Sequence, residues 1–199
     1  MKGRPVTTRS EAKEGRRTAL LAAAAQLFAR RGFNGVSIEE LGAAIEMSGP
    51  ALYRYFASKQ AVLAALLIDV SQDLLDGGGA VVAEETDDRE ALSALVRFQV
   101  DFAIREPDVI RVQDRDLDSL GEQDRRRVRT LQLSYVELWM AVLGRLRPEL
   151  SPEVVRLRVR AVFGLINSTP HSVRGSGRAL ELGRAREELE SIATAALLS

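Results

Sequence analysis

Apolar residues recur along this chain at spacings of three and four, separated by polar faces and broken at Gly and Pro, which is the period of amphipathic helices rather than of strands. Residues 1–15, polar and basic with Gly3, Pro5 and Gly15, read as a flexible arm. From Arg16 onward Leu20, Ala24, Leu27 and Phe28 share one helical face, and Gly32 stands where a helix stop is expected. Ser37 with Glu40 three residues later forms a capping box and opens a second helix that runs to about Ile45. Ser48, with Pro50 in the first turn, opens a third over Ser48–Tyr55, its inner face Leu52 and Phe56. Ser58 caps a fourth on the apolar face of Val62, Leu66 and Leu67, which Gly77, Gly78 and Gly79 are expected to end or kink.

The same period continues to the end. Helices are expected over Arg89–Arg105, after caps at Thr86 and Asp87, and from Pro107 to about Arg115. They continue over Glu122–Arg145, from Pro152 to about Asn167, and over about Arg178–Leu198. No internal repeat and no defensible strand is found. The fold class is therefore all-α: an N-terminal three-helix head followed by a larger helical body, with a domain boundary between residues 57 and 58.

Composition and charge narrow the function. The chain has 199 residues and no cysteine, so neither a disulfide framework nor a thiolate metal site is expected. His171 is the only histidine, which excludes a multi-histidine metal site, and no Ser–His–acid arrangement can be argued around it. No metal or cofactor is expected. No apolar run approaches the ~20 residues of a membrane span, no apolar segment follows the basic N-terminus, and a cytoplasmic location is the expectation. The 28 basic and 28 acidic side chains cancel overall but not locally: residues 1–59 hold ten basic and five acidic groups. A basic head on an acidic body fits a polyanion partner.

Two short helices joined by a tight turn fit a helix-turn-helix, in which the second helix enters the major groove of duplex DNA. Ser37–Ile45 would brace and Ser48–Tyr55 would read. On the reading helix Ser48, Gly49, Pro50 and Ala51 are small enough for close approach, while Tyr53, Arg54 and Tyr55 can reach phosphates and sugars. Ser37 and Lys59, each at a helix start, offer further phosphate donors.

Ser37, Leu41, Ser48, Leu52, Tyr53, Tyr55, Phe56, Lys59 and Leu63 stand in the pattern of the DNA-binding domain of TetR-type transcriptional regulators, which residues 16–67 resemble. Two positions depart from it. Glu46 occupies a turn position where the family usually has Gly, and a positive φ there would cost about 1 kcal/mol; Ile45 replaces the usual Ala. The resemblance implies a head over residues 16–57 and, over 58–199, a helical domain for effector binding and dimerisation. It implies a DNA-binding regulator, a repressor released from a palindromic duplex operator by a small apolar or amphipathic effector. A fatty-acyl or CoA-linked metabolite is one candidate among many. Phe98, Phe102, Tyr135, Leu138, Trp139 and Phe163 are candidates for the apolar wall of an effector pocket, with Arg105, Gln113, Asn167 and His171 as its polar anchors. Two apolar stripes, Val155, Val159, Val162 and Ile166 on one helix and Leu182, Ala185, Leu189, Ile192 and Ala196 on the last, are candidates for a four-helix homodimer interface. The fourth helix, joining head to body, is the expected lever between effector and DNA. A small helical enzyme would need a cluster of catalytic polar residues, and none is visible. A purely structural DNA-binding dimer would have a filled body without a cavity.

Overall fold

The computed structural model describes residues 9–168 and 182–199. Among them lie nine α-helices: α1 Arg9–Arg31, α2 Ile38–Ala43, α3 Gly49–Leu52, α4 Lys59–Glu84, α5 Asp88–Arg105, α6 Pro107–Asp116, α7 Glu122–Leu146, α8 Pro152–Asn167 and α9 Leu182–Leu198. A 3-10 turn over Leu117–Ser119 joins α6 to α7. No helix among the described residues is long and apolar enough to cross a membrane.

The head is built by local signals. Helix α1 begins at Arg9, so residues 9–15, expected in the arm, belong to it instead. It ends at Gly32, whose φ of +79° a side chain would strain and whose N–H returns to Phe28 O at 2.7 Å. Both halves of the capping box form: Ser37 Oγ accepts from the Glu40 N–H at 3.2 Å, and Glu40 Oε2 accepts from the Ser37 N–H at 2.7 Å. That backbone bond, and then the Arg31 guanidinium, hold the Glu40 carboxyl down at about 2. The α2–α3 turn carries the cost anticipated at Glu46, whose φ is +54°. Gly42 makes the turn fit, because a Cβ there would lie 2.8 Å from Met47 O. The third helix is shorter than expected. Its α-helical part covers Gly49–Leu52, and residues 53–55 continue as turns bonded back to Ala51 and Leu52.

Helix α4 contradicts the expected break at Gly77–Gly79 by running unbroken to Glu84. The reason is close packing. A Cβ on Gly77 would lie 2.4 Å from the Phe98 ring, and one on Gly78 would lie 2.5 Å from the Tyr135 ring. The glycines let α5 and α7 approach α4 rather than stop it. Around α4 two apolar cores form. One joins Leu20, Phe28, Leu41 and Leu52 of the head to Leu63 of α4, to Val109 and Val112 of α6 and to Val128 of α7. The other joins α5, α7, α8 and α9 around Trp139. The head is thus seated on α6 as well as on α4.

Polar latches close the body. Arg145 grips both oxygens of Asp88 at 2.9 Å, Arg186 pairs with Asp101, and Arg147 donates to Leu198 O at the end of α9.

Candidate nucleic-acid interface and cavity

On the head, Ser37, Ser48, Pro50, Tyr53 and Arg54 are exposed, with Tyr53 at 51%. Ala51 is half-buried, and Gly49 starts α3. These residues fall on the outward side of the turn, while Leu52 and Phe56 point into the core as expected. Tyr55 is half-buried and packs on the head core, so it supports the turn from beneath instead of standing out from it. The expectation for Lys59 is corrected. Its Nζ donates to Phe33 O and to Val36 O, each at 2.8 Å, and lies 4.3 Å from the centre of the Phe33 ring. The ammonium ties the α1–α2 connection to the start of α4 and is not turned outward. Ser37 spends a lone pair on its cap and retains its O–H.

A cavity of ≈ 170 Å³ lies in the body. Ser71 and Leu74 of α4, Gln99 and Phe102 of α5, and Ile110 and Gln113 of α6 form one side. Gln132, Tyr135 and Val136 of α7 with Arg160, Phe163 and Asn167 of α8 form the other. Phe163 and Tyr135 meet at 5.5 Å between ring centres. Tyr135 Oη donates to Gln99 Oε1 at 3.2 Å, and Gln99 Nε2 donates to Asn167 Oδ1 at 3.0 Å. Burial pushes the Tyr135 phenol well above its ordinary range, so it stays a neutral donor.

Of the residues expected at a pocket, Phe102, Gln113, Tyr135, Phe163 and Asn167 are brought together here. Four others are not. Trp139 is wholly buried one layer behind, packed 5.0 Å from Phe163. Phe98 and Leu138 are taken up against Gly77 and Gly78. Arg105 points to solvent, 73% exposed, near Asp101. His171 lies outside the described residues. Sequence reasoning missed Ser71 and Gln99, although a signal existed. Each is a polar residue interrupting an apolar helical stripe, after Leu67 and Leu95 respectively, and each is almost fully buried.

The dimer stripes are corrected as well. Val155, Val159, Val162 and Ile166 are buried within the protomer's own core, as is Ala185, and Leu189 packs against that core. The side chain of Leu182 lies outside the described residues. Ile192 and Ala196 do remain exposed on α9, Ile192 at 49%. The outer side of α8 presents Val154, Leu157, Ala161 and Gly164, with Leu157 68% exposed.

The two regions are joined by α6. Arg115 donates through Nη2 to Phe28 O and through Nη1 to Ala29 O at 3.3 Å, gripping the last turn of α1. Buried Asp116 steadies that guanidinium, accepting from its Nε at 3.2 Å.

Comparison with known proteins agrees with this fold. Residues 20–66 match the family described as bacterial regulatory proteins, tetR family, and residues 85–190 match the tetracyclin repressor-like C-terminal domain. The HTH-type transcriptional repressor KstR2 of Rhodococcus jostii is 29% identical over 140 residues, covering 70% of this chain and 69% of that protein. A TetR-family transcriptional regulator from Bordetella parapertussis superposes with a TM-score of 0.79 at 25% identity, covering 89% of this chain and 93% of that one. AibR, solved in complex with isovaleryl coenzyme A and operator DNA, superposes with a TM-score of 0.74 at 20% identity, covering 89% of this chain and 97% of that one.

Proposed function

The chain belongs to the tetR family of bacterial regulatory proteins and is a DNA-binding regulator of transcription, not an enzyme, and we propose that it is a repressor that leaves a palindromic operator when a small effector fills the cavity. Proteins of this family bind operators as dimers and answer to small molecules. The head, residues 9–57, supplies the reading surface and residues 58–199 the regulatory body. Ser48, Gly49, Pro50, Ala51, Tyr53 and Arg54 face the major groove, and the Ser37 hydroxyl donates to a flanking phosphate. The neutral stripe of Val154, Leu157, Ala161 and Gly164, with Ile192 and Ala196, is the face on which a second copy packs. The protein acts in the cytoplasm.

One observation carries the reading: α6 touches both sites. Ile110 and Gln113 border the cavity, and Arg115, two residues on, holds the carbonyls that end α1. A ligand that moves α6 therefore bears on the head directly, and α4 borders the same cavity through Ser71 and Leu74. Coupling requires only that the effector bind the DNA-incompetent arrangement more tightly. The effector is apolar or amphipathic; the isovaleryl coenzyme A bound to AibR supports an acyl or CoA-linked metabolite.

Selection from random duplexes tests the reading. Selection is expected to recover an imperfect palindrome with half-sites about one helical turn or more apart, roughly 34–36 Å, occupied by an even number of chains. Leu157→Asp is expected to give monomers that bind this duplex at least tenfold more weakly. A single asymmetric site held by one chain would overturn it.

A further inference from the structure

The cavity tells which part of an effector it can take. Its inner lining carries amides, a phenol and apolar groups, and its single charged neighbour, Arg160, stands exposed on α8. Two of its four amides, Gln99 and Asn167, are ordered with a direction. Tyr135 Oη gives its proton to Gln99 Oε1, and Gln99 Nε2 gives one to Asn167 Oδ1. Gln99, 1% exposed, is locked between these partners. The relay therefore ends on Asn167 Nδ2, which makes no hydrogen bond to a described residue and borders the cavity. It is a donor with no acceptor function of its own.

We propose that the buried end of the effector is a short uncharged chain bearing a carbonyl oxygen, as an ester, thioester or ketone, that accepts from Asn167 Nδ2, with any anionic remainder kept outside beside Arg160. This inference rests on the cavity being the effector site. A carboxylate in the same place would shed its hydration with no buried cation to replace it. A neutral carbonyl loses far less and regains a hydrogen bond. A dry cavity of about 150 Å³ accepts benzene, so the ≈ 170 Å³ here suits roughly six to eight heavy atoms.

Two isomers separate the alternatives: methyl butyrate and pentanoate hold the same heavy atoms, one neutral and one ionised at pH 7.5. Each is titrated into the full chain while the indole N–H resonance of Trp139, the only tryptophan and a neighbour of Tyr135 and Phe163, is followed by NMR. Methyl butyrate is expected to bind at least tenfold more tightly. Asn167→Leu is expected to weaken methyl butyrate at least threefold by removing the donor, and Asn167→Asp, which replaces the donor with an acceptor, to do the same while admitting pentanoate no better. Pentanoate binding as tightly as the ester, an ester affinity indifferent to both Asn167 variants, or no titration by either isomer would overturn the proposal. Val136→Phe, which fills the cavity, separates this failure from a broader one. If pentanoate binds and Val136→Phe blocks it, the cavity is the effector site and only the ligand chemistry is wrong. If Val136→Phe changes neither ligand binding nor duplex affinity, the effector reading of the cavity fails too.

Discussion

At the scale of single residues, side chains that look alike in the sequence serve different ends, and long-range contacts decide which. Tyr53 and Tyr55 are two positions apart, yet one stands half in solvent and the other props the turn. Lys59 reads as a phosphate donor, but the carbonyls of Phe33 and Val36, more than twenty residues away, claim its ammonium. Glu46 was legible through the resemblance, whose pattern has Gly at that turn position, and its φ is +54°. Glu46→Gly is expected to stabilise the protein by about 1 kcal/mol, raising Tm by roughly 2–4 °C, without weakening duplex binding; a calorimetric scan checks it. Asp73 carries strain of another kind. Partial burial, then the charges of Asp69 and Asp76, raise its carboxyl pKa above the ordinary 3.8. The folded state thus binds the proton more tightly than the unfolded one, and stability is lost as pH rises through that raised value. Asp73→Asn is expected to raise Tm by about 1–2 °C at pH 7, with the gain vanishing as pH falls toward 3.8.

At the scale of elements, most helix boundaries were legible because caps act locally. Ser37 with Glu40, Ser58, Asp87 and Ser151 all cap the helices they precede, and Pro107 and Pro152 open α6 and α8. The glycine run in α4 was not legible, since its meaning lies in Phe98 and Tyr135, residues that only the fold brings near. Gly78 and Gly79 make opposite predictions. Nothing lies within 4 Å of a Cβ on Gly79, so Gly79→Ala is expected to stabilise by about 0.5–1 kcal/mol through helix propensity. Gly78→Ala drives a methyl into the Tyr135 ring and is expected to cost about 1–3 kcal/mol. Denaturant unfolding of the two variants side by side checks the contrast, and equal midpoints would show that α4 and α7 do not meet as closely as described. Because Tyr135 also orders Gln99 at the cavity, Gly78→Ala should weaken ligand binding as well.

At the scale of the whole molecule, the all-α class, the head-and-body order and the helix-turn-helix could be read from periodicity, charge asymmetry and the residues from Ser37 to Leu63. The outward direction of each apolar stripe could not. Val155, Val159, Val162 and Ile166 have the same period whether they face a partner or their own core, and they face their own core. Five of the expected pocket residues converge because α5, α6, α7 and α8 enclose one space, whereas Phe98, Leu138 and Trp139 share the same aromatic or apolar character and are spent on packing. The connection between cavity and head, through Gln113 and Arg115 on one short helix, lies beyond any sequence pattern, since the carbonyls that Arg115 holds are far away along the chain. The proposed function depends on the outward side of the turn from Ser48 to Arg54 entering a DNA groove. The most direct measurement is anisotropy titration of a selected palindromic duplex across a range of salt, for the unaltered protein and for Tyr53→Ala with Arg54→Ala. The account predicts at least tenfold weaker binding and a salt slope shallower by about one per head; an affinity and slope unchanged by both substitutions would contradict it.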